Sequence, residues 1–513
     1  MSEEALPPTT GPDVTLPVPA IPPQAPAAEA ATRQADGTHA GGPQVGADEW
    51  VARRAQRREY LPSWLGSVQR ATERVGWWPR LAVAGLAGAV LPLFGLGGFQ
   101  LQVGIDSLTI ALLAVGLNIV VGWTGMLDLG YVAFFGFGAY GFALLSSAQL
   151  GSHGIHLPSL LSIPIVMIAT GILGLLVGLP SRRLIGDYLA IVTLFFGEAF
   201  VEFTNNVAPG VLGGPNGIVG IDAVHALGHQ ITTNAGYYYL LIVLLVVTMA
   251  VLRLLDTSRT GRAWRAVRED PLAAASMTIP VDRVKLMAFA FGAVVAGLAG
   301  TIFAAQQISV FPTDFDTPIL IVIYAALVLG GSGSIAGAAT GALVVYVIYD
   351  GLLRSPAYSG YMFYGLILLT LLARVRPWRR LGLVLAGTVA FGFLAHAVAQ
   401  GISHSWVAGA PQSAGFVGTA LRDWVIVPAS AQTPGKVGFV LLVCLLIALV
   451  QLNGTWRTIL LVPTLYVASF TWETVLIANP SVTRQLMIGA ILIVMMNARP
   501  QGLLGTRRVE VPT

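Results

Sequence analysis

The chain has 513 residues, of which 55% are hydrophobic and only 11% are charged. Soluble domains carry about 25% charged residues, so this chain has too few charges to cover a soluble protein of its size. Stretches such as 158–179 and 237–252 contain no ionised side chain. Each can cross the roughly 30 Å hydrocarbon core of a bilayer as a helix. The fold class predicted from this composition is an all-α polytopic membrane protein.

The composition also excludes several kinds of chemistry. A single cysteine, Cys444, rules out disulfide frameworks and cysteine-based zinc sites. The seven histidines show no HExxH spacing, and the pair four residues apart, His225 and His229, lies in a predicted loop and not on a helix. No metal site is therefore predicted, and neither a cofactor nor a catalytic residue is expected. The net charge of +4 is typical of anchoring to an anionic membrane surface and not of nucleic-acid binding.

The chain begins with two segments that differ from the rest. Residues 1–50 contain nine prolines and almost no large apolar side chains, so we predict a disordered cytoplasmic tail. Residues 51–80 interleave seven arginines with Trp64, Trp77 and Trp78 directly before an apolar run. This pattern predicts a basic, aromatic interfacial segment on the cytoplasmic face.

Fourteen candidate spans follow, and the distribution of positive charge orients them. The spans are 81–99, 104–122, 128–149, 158–179, 188–204, 237–252, 286–307, 317–331, 335–353, 361–373, 381–400, 437–452, 458–478 and 485–497. With the N-terminus inside, the inner segments hold 25 Lys and Arg and the outer loops hold four. Because cytoplasmic loops collect positive charge, we predict a multi-pass protein of the cell (cytoplasmic) membrane with both termini cytoplasmic.

The longest charged segment between spans, residues 253–285, contains a regular series of arginines. Gly261 is followed by Arg262, Arg265 and Arg268, whose three-residue spacing places them on one face of a helix. We expect this segment on the cytoplasmic side.

A short helix is predicted in the middle of the same segment. Asp270 and Pro271 suit the N-cap and the first helical position, Ala274 lies in the small-residue run that follows, and Pro280 ends the helix. A short helix between two basic flanks is typical of a docking element for a cytoplasmic partner. A solvated positive-inside loop without a partner is the alternative.

Several further stretches make the chain recognisable. They are GLNIVVGWTGMLDLGYVAFFGFGAY (116–140), GDYLAIVTLFFGEAFVEFTNN (186–206) with LGGPNGI (212–218), KLMAFAFGAVVAGLAGTIFA (285–304), LVLGGSGSIAGAATGA (327–342) and NARPQGLLG (497–505). Together with 253–285, they resemble the permease subunits of ATP-binding-cassette (ABC) importers, and more narrowly the LivM-type subunit of branched-chain amino acid importers. The resemblance implies a LivM-like permease core, residues 81–355, with extra C-terminal transmembrane helices.

The resemblance also implies a function and a set of partners. The chain would translocate branched-chain or other small amino acids by alternating access, with a LivH-like second permease subunit and an extracytoplasmic solute-binding protein. No GxxxxGK[ST] nucleotide-binding pattern occurs in the chain, so ATP hydrolysis would come from two separate ATP-binding subunits and this chain is not an enzyme. The outer loop 205–236 is the candidate docking surface for the binding protein. Residues 253–285 would be the coupling loop, in which Gly261, Arg262, Arg265, Arg268, Asp270, Pro271, Ala274 and Thr278 couple the permease to the ATPase.

Three departures and alternatives remain open at this point. Thr278 stands where the coupling motif of the family usually has a glycine, which leaves the local turn undecided. Residues 356–484 read as inserted helices and 485–513 as the terminal core helix with its cytoplasmic tail, but 361–380 is an alternative last core helix. Alternatives for function are a urea or short-amide ABC permease, an ion-coupled secondary transporter, and a membrane scaffold or sensor.

Polar residues in apolar surroundings form the candidate translocation path, since such residues normally face a cavity or a partner. They are Asn118, Asp128, Tyr131, Glu198, Glu202 and Asn216. Glu198 and Glu202 share one helical face and would attract the ammonium group of a solute; a hydrogen-bonded pair that fixes helix packing is the alternative. Asp128 is better interpreted as a helix cap after the Gly122–Gly125 break.

Overall fold

The described residues of the computed structural model form fourteen long helices, several shorter ones and four two-residue strands. These residues are 76–95, 97–147, 157–181, 187–207, 209–226, 229–354, 356–374, 378–413, 415–430, 432–452, 454–498 and 502–505. The elements of the first half are α1 Trp77–Val90, α2 Gly98–Leu117, α3 Tyr131–Ser146, α4 Ser159–Ser181, α5 Asp187–Asn206, β1 Ile218–Val219, β2 His225–Ala226, β3 His229–Gln230, α6 Asn234–Thr257, α7 Arg259–Glu269 and α8 Pro271–Ser276. Those of the second half are α9 Val281–Gln307, β4 Ser309–Val310, α10 Thr317–Gly330, α11 Ile335–Tyr346, α12 Pro356–Arg374, α13 Trp378–Ile402, α14 Gly415–Leu421, α15 Gln432–Gln451, α16 Thr455–Thr471 and α17 Pro480–Ala498.

Each of the fourteen predicted spans corresponds to one helix. Within the described residues, 11 helices are long and apolar enough to cross a bilayer. The other three, in α3, α12 and α17, are shorter apolar helices of 10–17 residues. The all-α polytopic fold class is therefore confirmed, with π-helical turns extending α2, α11 and α16. The predicted tail 1–50 and residues 51–75 of the predicted interfacial segment lie outside the described residues.

The start of the first span differs from the prediction. Trp77 and Trp78 belong to α1 itself, and the helix ends in a 3-10 turn at Phe94 instead of reaching residue 99. The reason is Gly95, whose backbone is left-handed with φ 74°, a conformation that stops a helix. The next helix, α2, then begins at Gly98, six residues before the predicted start of the second span.

The core is built around α2, α3 and α9. In the most apolar 18-residue stretch of α2 and its π-helical turn, 89% of the residues are buried inside the protein. Helix α9 packs along α3, α4 and α2. Small residues allow this close approach: a Cβ atom built on Gly138 of α3 would lie 2.6 Å from the Cα atom of Gly297 in α9. Small residues therefore bring α3 and α9 into close contact at the centre of the core.

The ends of the helices form two opposite faces, and pairings between loops define the first of them. Strand β1 pairs antiparallel with β4, and Ser147 forms a bridge with Ile221. The His225 amide donates to the Ser159 hydroxyl at 2.8 Å. All these residues lie in or beside loops that were predicted to share one side of the membrane. We call this side the strand face because it contains the four strands.

The other face contains the long charged segment. The Arg268 guanidinium donates to the Gly122 carbonyl, and the Gly333 amide donates to the Asn118 side-chain oxygen at 2.8 Å. The amides of Leu503 and Leu504 donate to carbonyls at the end of α10. We call this the coupling face. Every loop grouped here was predicted to lie on the opposite side of the membrane from the strand face.

The helices beyond residue 356 form a smaller group beside the core. Helix α16 packs against α13 and α15. Fully buried Glu473 pins the intervening loop, because its carboxylate accepts from the amides of Gln412 and Ser413 at 2.9 and 3.0 Å. This hydrogen bonding satisfies a carboxylate that would otherwise be costly inside a membrane protein.

The last helix, α17, returns to the core and packs against α10. Arg484, near its N-terminus, is 3.0 Å from Asp350, and the same carboxylate is 3.2 Å from Arg354. The C-terminal helix therefore contacts α10 and the π-helical turn after α11. The division into a core at 81–355 and an insertion stays a prediction.

Candidate coupling and translocation sites

The coupling segment consists of two helices with explicit caps. Helix α7 follows Ser258, whose hydroxyl accepts from the Gly261 amide at 3.4 Å. Helix α8 follows Asp270, whose carboxylate accepts from the amides of Leu272 and Ala273 at 2.8 and 3.1 Å. Pro271 is the first residue of α8. Asp270 and Pro271 therefore occupy the N-cap and the first helical position, as the sequence predicted.

Helix α8 presents apolar side chains to its surroundings. Leu272 is 82% exposed and Met277 is 77% exposed, whereas Ala274 is buried against the rest of the protein. Both side chains lie at the ends of a short helix outside the fourteen spans. They are suited to enter an apolar groove on a partner.

The turn after α8 shows how the chain accommodates Thr278 at a position where the family usually has glycine. The Thr278 amide donates to Ala275 and the Ile279 amide donates to Ala274, each at 3.1 Å, which is the Schellman pattern of a helix C-terminus. Thr278 occupies the left-handed position of this motif with φ 64°. The turn usual for glycine is thus kept, although a β-branched residue is rare in that conformation.

The arginine series of α7 bonds mainly to the backbone of its own chain. Arg262 donates to the Thr257 carbonyl at 3.0 Å, and Arg265 forms an ion pair with Asp256 at 3.0 Å. Arg268 donates to the Gly122 carbonyl at the end of α2. The predicted common face therefore anchors α7 onto α6 and α2.

Gly261 is required by close packing. A Cβ atom at this position would collide with the backbone carbonyls of Leu255 and Asp256 at the end of α6. Glycine thus permits the sharp change of direction from α6 into α7.

Three of the predicted path residues are buried near the coupling face. Asn118, Asp128 and Tyr131 are each at most 1% exposed. The Asp128 carboxylate accepts from the Gly130 amide at 3.0 Å, and the Tyr131 hydroxyl donates to the Gly292 carbonyl at 3.2 Å. The Asp128 side chain therefore closes a short turn just before α3. It does not cap an amide within the helix, contrary to the prediction.

The buried group also contains unsatisfied polar atoms. The Asn118 side-chain nitrogen and one carboxylate oxygen of Asp128 lack hydrogen-bond partners among the described residues. Tyr324 holds the backbone of this loop, since its hydroxyl accepts from the Asp128 amide at 3.1 Å and donates to the Asp128 carbonyl at 2.7 Å. Such buried atoms are costly when left unpaired, so they mark a place where another conformation or a bound molecule would find hydrogen bonds.

The remaining path residues lie elsewhere and are exposed. On α5, Glu198 accepts a hydrogen bond from Thr317 at the start of α10, and Glu202 accepts from Asn206 at 2.6 Å. Asn216 lies in the loop that leads to β1 on the strand face. The structure thus separates the six predicted residues into a buried group at the coupling face and an exposed group on α5 and the strand face.

The α5 carboxylates have features of both predicted roles, helix packing and a solute path. The bond from Thr317 to Glu198 links α5 to α10, as a packing role requires. Yet both carboxylates remain exposed on a membrane-spanning helix. A carboxylate facing hydrocarbon is costly, so this side of α5 is unsuited to lipid.

Sequence reasoning missed several residues at the coupling face. Trp123 stacks on Trp264, with ring centroids 5.6 Å apart and planes inclined by 23°. Trp264 is fully buried although it lies in a strongly basic helix, and that isolated aromatic was the available signal. No group of three or more His, Cys, Asp or Glu among the described residues is placed to hold a metal ion.

The fold and the capped segment on the coupling face define the class: a multi-pass helical membrane permease. Comparison with known proteins agrees. Residues 99–372 match the family described as branched-chain amino acid transport system / permease component. The chain belongs to this family, as the sequence motifs predicted.

Individual relatives are similar over about half of this chain. The chain is 36% identical to the high-affinity branched-chain amino acid transport system permease protein LivM of Escherichia coli K12, over 53% of this chain and 67% of that protein. It is 29% identical to the LivH permease protein of Salmonella typhimurium, over 52% of this chain and 89% of that protein. It is 29% identical to the autoinducer 2 import system permease protein LsrC of Salmonella paratyphi B, over 43% and 64%. No solved structure matches this chain.

Proposed function

We propose that this chain is the LivM-like permease subunit of an ABC importer that moves branched-chain or other small amino acids across the cytoplasmic membrane. The observation that carries the proposal is α8, a capped helix on the coupling face with two exposed apolar side chains. The family membership supports an importer permease. Two relatives at 36% and 35% identity are named for branched-chain amino acid transport, which favours that solute class.

Two ATP-binding subunits would seat α8 and close on ATP. Leu272 and Met277 would enter a groove on the ATPase, and the movement would pass to the spans and alternate the access of the solute site. The coupling face would be cytoplasmic, in agreement with its excess of positive charge. The strand face, with loop 205–236, would then receive the extracytoplasmic solute-binding protein.

A LivH-like second permease would cover the carboxylate side of α5. Glu198 and Glu202 are exposed on a spanning helix, and a partner permease or a solute path shields them from lipid at lower cost than hydrocarbon does. In a shared path they would attract the ammonium group of an amino acid. Asn118, Asp128 and Tyr131 would contribute from the core when a different conformation opens it, and Asn216 would lie near the entrance.

The test is uptake by the assembled importer. The chain is reconstituted in proteoliposomes with its partner permease, ATPase and binding protein, and radiolabelled leucine, glycine and urea are compared. We expect leucine uptake that requires ATP inside and survives an ionophore that collapses ion gradients. Uptake driven by an ion gradient without ATP would indicate a secondary transporter, and uptake of urea alone would indicate the amide permease.

A further inference from the structure

Helix α7 makes direct contact with the end of α2, deep in the coupling face. The Arg268 guanidinium donates to the Gly122 carbonyl, and the Trp264 ring stacks on the Trp123 ring. The Trp264 indole nitrogen also donates to the Val284 carbonyl of α9 at 2.9 Å. Helix α7 is therefore attached to both α2 and α9.

The segment of α2 that receives these contacts is unusual. Residues Asn118–Trp123 form a π-helical turn, a conformation that is rare and frequent at functional sites. Its last carbonyls lack partners within the helix, as at any helix C-terminus. Arg268 satisfies one of them, and its charge favours the negative end of the helix dipole. A residue 146 positions away thus serves as the C-terminal cap of α2.

The same turn also holds the loop between α10 and α11. The Gly333 amide donates to the Asn118 side-chain oxygen at 2.8 Å, and the Trp123 indole nitrogen donates to the Gly333 carbonyl at 3.3 Å. The Gly333 backbone is left-handed, with φ 95°, which suits a close approach of glycine to the turn. Three separate segments of the chain therefore meet at this one turn.

Resting on the function proposed above, we propose that Arg268, Trp264 and Trp123 are positioning residues that transmit movement of the coupling segment into α2 and into the Gly333 loop. We call these three residues the interlock. Because its contacts are close-packed and hydrogen-bonded, a displacement of α7 moves the end of α2 by a similar distance. Helix α2 is the most buried spanning helix, and through it the displacement reaches the centre of the permease. In this role Arg268 acts inside the permease instead of touching the ATPase.

The first test separates transmission from assembly. Arg268→Gln removes the charged cap, and Trp123→Phe keeps an aromatic ring but loses the indole donor. The matched control is Arg259→Gln, since Arg259 is an exposed arginine on the same helix. We expect all three to assemble normally. Solute uptake per ATP hydrolysed should fall about tenfold in Arg268→Gln, the factor expected from one charge-assisted hydrogen bond, and about fivefold in Trp123→Phe, which loses a hydrogen bond between neutral groups. Arg259→Gln should match the wild type.

A double variant sharpens this result. If Arg268 and Trp123 act in one pathway, Arg268→Gln with Trp123→Phe should transport no worse than the poorer single variant. Wild-type uptake in correctly assembled Arg268→Gln would overturn the interlock. Absence of ATP-dependent uptake in the wild-type complex would overturn the proposed function instead, so the two failures are distinct.

A cross-link covers the case in which Arg268→Gln fails to assemble. A Cβ atom built on Gly125 lies 3.8 Å from the Arg268 Cβ, a distance suited to a disulfide. Gly125→Cys with Arg268→Cys is made in a Cys444→Ala background and assayed oxidised and reduced. Recovery of uptake on oxidation, reversed by reductant, supports the interlock. Equal uptake in the two forms overturns it, and any strain from the left-handed backbone at Gly125 is common to both.

Discussion

Removing the start of α8 tests the coupling segment most directly. Asp270→Ala combined with Pro271→Gly deletes both the N-cap and the residue whose φ is already helical. Asp270 accepts two amide hydrogen bonds, at 2.8 and 3.1 Å. Losing such a cap costs about 1–2 kcal/mol, and replacing a preorganised proline by glycine adds up to about 1 kcal/mol.

These energies are large for so short an element. Helix α8 has six residues, and a helix of that length is unstable on its own. A total loss of roughly 1–3 kcal/mol corresponds to about a 5- to 150-fold shift against the ordered helix. We therefore expect uptake and solute-stimulated ATP hydrolysis to fall by about tenfold, near the middle of this range, while membrane insertion stays normal.

The assay is ATP-driven solute uptake in proteoliposomes, with surface labelling to confirm insertion. Glu269→Ala is the matched control, because Glu269 is an exposed carboxylate one residue before the cap. It should leave uptake unchanged. Undiminished uptake in the inserted double variant would show that α8 is not the coupling element.

Three further predictions concern the turn, the topology and the insertion. Thr278→Gly should relieve the left-handed strain and stabilise the turn after α8 by about 0.5–1 kcal/mol, seen as slower amide hydrogen exchange in α8; faster exchange would contradict it. In a chain whose native cysteine is replaced, a membrane-impermeant thiol reagent added outside cells should label Val219→Cys on the strand face but not Ser258→Cys; labelling of Ser258→Cys would invert the topology. Deleting 356–484 with a short linker should preserve solute-stimulated ATP hydrolysis if the insertion serves assembly or regulation, whereas a correctly assembled complex without transport would place part of the path inside it.

The sequence alone determined the apolar helices and their order. Hydropathy located all fourteen helices, since each apolar run is long enough to show its character without reference to any partner. The α8 helix was equally predictable, because Asp270 and Pro271 are start signals that act on adjacent backbone groups. The alternation of charged loops likewise grouped the loops into the two faces that the structure contains.

Only the tertiary structure decided what those elements contact. The spacing of the arginines placed Arg268 on the face of a helix, but the packing of α7 turned it onto the Gly122 carbonyl. The sequence grouped six polar residues into one candidate path, yet helix packing buried Asp128 and left Glu198 exposed. Local propensity acts over a few residues, whereas burial and long-range hydrogen bonds depend on how whole helices are arranged. For that reason the sequence predicted the coupling helix, and the structure was needed to find the Trp123–Trp264 contact behind it.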